Sequence, residues 1–243
     1  MYTCKLILAH ELCSASSDQI EKNKEIIFSL PHTHAYQEIQ NLQTIPKPLE
    51  IISDRYQNEI IFLPILPQPI ITFSYAPKKI SYTNIQNPTL SVIRSCYDET
   101  LNTLQYGNPI DGLYSAEQAL KTKVTDCGGF STVLAEFLAQ KNIQSRLVSG
   151  FLLIKPSLFK HYLPLSFSSF SMHAWLEAQL PDNTWFPLDP AIEWRRNHNL
   201  TTRGGGFGTI PADRLVVSFG SFHVLKRKNI DLHIDILQKP ITI

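Results

Sequence analysis

A chain of 243 residues, 43% hydrophobic and 18% charged, can bury a full core as one large domain or two small ones. Its formal charge of +1, with no basic stripe interleaved with aromatics, argues against nucleic acid or an anionic membrane as partner. Leu6-Ile7-Leu8-Ala9 is broken by His10-Glu11 and too short for a signal peptide, and Ile60 to Phe73 holds Pro64, Pro67 and Pro69 and cannot span a bilayer, so a soluble cytoplasmic protein is expected.

Residues 1–85 read as a small β-rich module. Tyr2 to Ala9 alternates, Glu25 to Leu30 is a short apolar strand, and Glu50 to Ser53 is another. Asp54-Arg55-Tyr56-Gln57-Asn58 has the composition of a hairpin turn, with Glu59 to Leu63 leaving it. Prolines at 46, 48, 64, 67, 69 and 77 keep these strands short or at sheet edges. Asp18 to Lys24 is a mixed-charge, solvated stretch.

Residues 86–243 change texture and read as a separate α+β domain. Helical spacing covers Thr89 to Thr103 until Gly107-Asn108-Pro109 breaks it. Ser115 to Leu120 is a short helix capped by Ser115, though without the Glu of a full capping box. A third helix begins at Cys127, where Phe130, Val133, Leu134, Phe137 and Leu138 share a face, and Asn142 ends it. Strands follow at 145–154, 172–180, 184–189, 214–219 and 222–225. Gly204 to Gly208 lacks the Lys-Ser/Thr of a phosphate loop and reads as a flexible connection or lid edge.

Cys4, Cys13, Cys96 and Cys127 form no C-x-x-C pair and read as reduced thiols. Cys127 differs from the others by its place in a helix's first turn, where unpaired N–H groups and the helix dipole favour the thiolate. Gly128 and Gly129 weaken the helix there, and their use is close approach by substrate or by another part of the chain. His173 lies on the strand at 172–180, on the face opposite Ala174 and Leu176, and Asp189 ends the next strand. Nucleophile, base and orienting acid make a Cys127/His173/Asp189 arrangement for thiol acyl transfer.

Parity tests that grouping. For His173 and Asp189 to share a sheet face, the connection near Pro181 and Asp182 must have an odd length of three or five residues, or a bulge. A two-residue Asp182-Asn183 turn would put them on opposite faces. An oxyanion needs two donors: the Cys127 N–H is one, and Gln105 and Tyr106 are candidates for the other, with Gly128 and Trp175 as candidate pocket residues. His32 and His34 sit on one side of an extended segment, but no third ligand is near them, so neither metal nor cofactor is expected. His161, His198, His223 and His233 have no evident partners.

Ser115 to Leu120, Thr125-Asp126-Cys127-Gly128-Gly129-Phe130-Ser131, Met172 to Glu177 and Trp185 to Pro190 resemble, in order, the core blocks of the transglutaminase-like superfamily. Gln144 to Phe151 is similar to the strand after the nucleophile helix in that family, and Arg214 to Gly220 to a closing strand. More loosely, Asp54 to Ile60 resembles the β-module before the core of bacterial members, with Gln57 where a Gly-Asn turn would have glycine. The resemblance implies a papain-like α+β core, its nucleophile helix packed on an antiparallel sheet, and a thioester intermediate on Cys127. The expected activity is a cysteine peptidase or amidase acting on a peptide or protein substrate. The alternatives are an amine-transferring cross-linker and a non-catalytic binding module on a retired core.

Overall fold

The structure, a computed structural model, describes residues 1–8, 24–65, 67–82, 87–153, 162–165, 172–227 and 230–243. Its first elements are β1 (Tyr2–Ile7), β2 (Glu25–Leu30), β3 (Gln37–Ile45), β4 (Glu50–Ser53), β5 (Glu59–Pro64), β6 (Ile70–Pro77) and β7 (Ile80–Ser81). Next come α1 (Pro88–Thr103), β8 (Gln105–Tyr106), α2 (Ala116–Thr122), β9 (Val124–Thr125) and α3 (Cys127–Ala139). β10 (Ser145–Leu152), β11 (Tyr162–Leu165), β12 (Met172–Gln179), β13 (Trp185–Leu188) and α4 (Pro190–Asn197) come after them. The chain closes with β14 (Thr209–Ile210), β15 (Arg214–Phe219), β16 (His223–Arg227), β17 (Ile230–Ile234) and β18 (Ile241–Thr242). Cys13, His161 and residues 18–23 of the mixed-charge stretch lie outside the described residues.

The architecture is α+β. An antiparallel sheet in the order β13-β12-β10-β15 carries α3 on one face. Leu134 and Leu138 of α3 bury against Leu176, Ala178 and Leu188, and Ile93 and Tyr97 of α1 close the same cluster. The helical spacing read from Cys127 onward is therefore the face that packs, and Asn142 turns the chain out with φ 56°. Helix α2 does have a full capping box: the Ser115 hydroxyl accepts the Gln118 N–H, and the Gln118 side chain accepts the Ser115 N–H, glutamine serving where glutamate was looked for.

The segment before residue 86 shares its packing with the second half of the chain. Sheet β11-β1-β6-β3 and sheet β18-β2-β5-β4 each take one strand from that half. One core cluster joins Leu6, Phe28, Ile61 and Phe73 to Phe151, Leu215 and Val217. Strands β3 and β6 escaped the alternation reading because β3 is largely polar and β6 comes after a proline-rich run.

The Asp54–Asn58 turn locks the two halves at one point. Gln57 adopts φ 65°, the left-handed conformation that a glycine would take more cheaply. Asn58 is buried, donating to the Phe219 carbonyl at 2.7 Å and accepting the Phe219 N–H at 2.8 Å. His223 Nδ1 pairs with Asp54 Oδ2 at 2.8 Å behind it, a partner the sequence did not suggest. Replacing Asn58 by Ala leaves both Phe219 backbone groups unpaired, so Asn58→Ala should lower unfolding free energy by about 2–3 kcal/mol in urea titration. An unchanged midpoint would contradict the clamp.

Candidate active site

The chain between β12 and β13 turns through three residues, Pro181 to Asn183. Leu180 N–H donates to the Thr184 carbonyl at 2.8 Å, and Asn183 takes φ 65°. Gln179 pairs with Trp185 and Leu176 with Leu188, so paired numbers sum to an even value. His173 and Asp189 consequently face the same side, as parity required, and His173 Nε2 lies 2.9 Å from Asp189 Oδ2.

Asp189 does two jobs at once. Its Oδ1 accepts the Ile192 N–H at 3.1 Å and caps α4, which Pro190 opens at its first position. Its Oδ2 faces His173 and also accepts from Arg214 Nη2 at 2.7 Å. All three side chains are at most 1% exposed. Burial alone would raise the Asp189 carboxyl, but His173, Arg214 and the Ile192 N–H together hold it below its ordinary value. An ionised Asp189 can only accept, so His173 carries its proton on Nε2 and leaves Nδ1 as the basic nitrogen. Burial lowers His173 below its ordinary value even though Asp189 pulls the other way, with Arg214 and Arg195 assisting burial.

Helix α4 and Arg214 were not recognised in the sequence. The signal for α4 was present: Asp-Pro at an N-cap and first helical position. Arg214 opens an otherwise apolar strand, a place where a charge needs a buried partner. Its guanidinium also lies 5.4 Å from the centroid of Trp175.

Cys127 begins α3, as read, but the chemistry at that terminus differs from the expectation. Asp126 Oδ1 accepts the N–H groups of Gly128 (2.9 Å) and Gly129 (3.2 Å), so a carboxylate already occupies two of the terminus's free donors. Burial, followed by the charge of Asp126, pushes the Cys127 thiol up to about 12, although the Ala174 and Gly128 N–H groups draw it back. Burial and the Asp126 charge therefore both oppose the thiolate here. The Ala174 hydrogen bond places the sulfur beside the residue that comes after His173. A Cβ on Gly129 would stand 1.8 Å from Thr125 Oγ1, and one on Gly128 2.8 Å from Leu113 Cδ1, so both glycines serve close packing.

Cys127 is half-buried and lines a cleft together with Tyr106, Leu113, Asp126, Gly128, Met172 and Ala174 among others. Tyr106 and Gly128 are both among the cleft's lining residues. Gln105 is not: it is exposed on β8, away from the cleft. Trp175 does not wall the cleft either, because alternation along β12 turns it into the core behind His173, with ring centroids 6.0 Å apart and Tyr36 edge-on. Burial pushes the Tyr106 phenol up, which keeps it a hydrogen-bond donor.

Gly204–Gly208 is a packed strip, not a loose lid edge. Gly206 accepts the Asp189 N–H at 3.1 Å, and the Gly208 N–H donates to Pro187. Gly205 has φ 117°, and a Cβ there would lie 2.8 Å from Arg214 Nη2 and 3.6 Å from Asp189 Oδ2, so the strip shields the ion pair from above. His32 and His34 pack edge-on at 5.2 Å and against Phe219; among the described residues no three metal-ligating side chains come together. His198 stacks on Trp194. No helix among the described residues is long and apolar enough to cross a membrane.

Residues 79–190 match the family model of the transglutaminase-like superfamily. This segment is similar to a transglutaminase-like core. A crystal structure of a cysteine-protease candidate from Cytophaga hutchinsonii is 14% identical, with a TM-score of 0.47 over 81% of this chain and 76% of that one. The periplasmic domain of TgpA from Pseudomonas aeruginosa is 12% identical, with a TM-score of 0.37 over 73% and 72%. Its ethylmercury-bound form is 16% identical, with a TM-score of 0.36 over 73% and 75%. No curated protein matches the chain.

Removing the Arg214 charge strands the buried Asp189. Arg214→Met should cost about 3–5 kcal/mol of stability in chemical denaturation, and Arg214→Lys clearly less. Equal midpoints for wild type and Arg214→Met would show that the pair contributes nothing.

Proposed function

We propose that the chain is a thiol acyl-transfer enzyme, a cysteine peptidase or amidase that hydrolyses an amide bond in a peptide or peptide-like substrate. The observation that carries this reading is the His173–Asp189 contact of 2.9 Å beside a cleft that Cys127 lines, within a segment similar to a transglutaminase-like core. In this reading Cys127 rests as a thiol next to a neutral imidazole. His173 Nδ1 takes the thiol proton as the sulfur attacks the carbonyl, and Asp189 stabilises the imidazolium that forms. The Cys127 N–H and the Tyr106 hydroxyl are the candidate donors for the tetrahedral oxygen. Imidazolium returns its proton to the leaving amine, a thioester remains, and water released to attack by His173 frees the acid.

Amine transfer shares every step up to the thioester. The apolar walls supplied by Leu113, Met172 and Ile236 are the feature that favours it, because they disfavour water at the second step. Incubation with a glutamine peptide and a labelled amine separates the two outcomes: the hydrolase reading expects free acid to exceed amine adduct. Cys127→Ala should abolish both products while leaving the folded stability close to wild type.

The pH profile carries the signature of a neutral base. Hydrolysis needs His173 unprotonated, and its folded value lies below the ordinary 6.5. Activity should therefore persist below that pH and fall only as acid protonates the imidazole. An acid limb centred above the ordinary histidine value would contradict the assignment.

A further inference from the structure

The cavity above Cys127 holds about 70 Å³, well short of the roughly 300–1,000 Å³ of ordinary ligand clefts. Two walls make it narrow. Residues 109–113 form one, and Ile236, Gln238 and Lys239 form the other. An ion pair between Lys239 and Asp111 ties the walls together across the opening.

The walls are held very differently. On the C-terminal side Leu237 is fully buried, and Gln238 Nε2 donates to the carbonyls of Gly150 (2.6 Å) and His173 (2.8 Å). That wall is fixed to the same strands that carry the candidate base. On the other side residues 108–112 are exposed and irregular. Besides the ion pair, the Ile110 N–H donates to Asp126 Oδ2 at 3.3 Å, and the Tyr114 hydroxyl donates to the Asn108 carbonyl at 2.8 Å and anchors the start of the stretch. Gly112 has φ 104° at the end of this stretch, next to the buried Leu113, a conformation suited to a hinge.

We infer that residues 108–112 form a gate over Cys127, latched in the closed state by Asp111 on Lys239 and opened to admit an acyl donor. This deepens the acyl-transfer reading and rests on it for its purpose, since the gate regulates access to the same sulfur. It also accounts for the raised thiol. Opening withdraws the Ile110 N–H from Asp126 and lets water reach both Asp126 and Cys127, which removes the burial that keeps the thiol protonated. The closed form is thus a protected resting state, and the open form the reactive one.

The test is the rate of Cys127 alkylation by iodoacetamide, read by peptide mapping on the full chain. This reagent is neutral and needs a reachable thiol, not turnover. Both latch residues are exposed, so their substitution leaves the core intact. Lys239→Ala and Asp111→Asn should each speed alkylation about two- to five-fold, the range an exposed ion pair can supply. Wild type should gain similarly in ~1 M salt, and the double variant should gain nothing further from salt. The exchanged pair Asp111→Lys with Lys239→Asp should return the slow rate. Equal rates across wild type and both single variants, or an exchanged pair as fast as the singles, would overturn the gate. Latch behaviour as described in a protein that neither hydrolyses amides nor transfers their acyl groups to amines would sink the acyl-transfer reading while leaving the gate standing.

Discussion

One carboxylate organises the site. Asp189 accepts from the candidate base, from a buried arginine and from the first turn of α4, so strand, helix and closing strand meet on its two oxygens. Each donor makes the others more exact: the helix cap orients the carboxylate, Arg214 keeps it ionised, and the ionised form sets the tautomer of His173. Burying these groups without one another would be costly, because each is desolvated and two carry charge. The glycine strip above them completes the seal, with Gly205 placed where any side chain would meet Arg214.

The same burial shapes the chemistry of the sulfur. A cysteine at a helix start is normally read as an activated thiolate, but the activation depends on free N–H groups at that terminus. Here Asp126 takes those of Gly128 and Gly129, and its charge sits next to the thiol. In the proposed mechanism Cys127 and His173 are accordingly both neutral at rest, and proton transfer belongs to the attack itself. That mechanism fits the proposed gate: a protonated Cys127 in a narrow cleft would be protected until the cleft opens.

Much of the site was legible because its signals are local. The apolar spacing after Cys127 defines α3, alternation around His173 assigns its face, and parity across Pro181–Asn183 decides whether Asp189 can reach it. The parts that escaped are long-range. Arg214 lies 25 residues from Asp189, and Gln238 lies 65 from the His173 carbonyl it holds. No periodicity registers such contacts. The surroundings of Cys127 escaped for a related reason: that Asp126 takes the Gly128 and Gly129 N–H groups emerges only from geometry. The β-rich first part likewise reads as a module of its own, whereas Phe28 and Phe73 pack with Val217 and Leu215 in one core.

The central claim is that Asp189 holds His173 as a neutral base protonated on Nε2, with Nδ1 free to act on Cys127. Nitrogen-15 NMR of histidine-labelled protein at neutral pH tests it directly, with His173→Gln identifying the resonances. The account predicts one protonated and one unprotonated ring nitrogen for His173, the Nε2 proton shifted downfield by its bond to Asp189. Two protonated nitrogens, or a proton on Nδ1 alone, would contradict it.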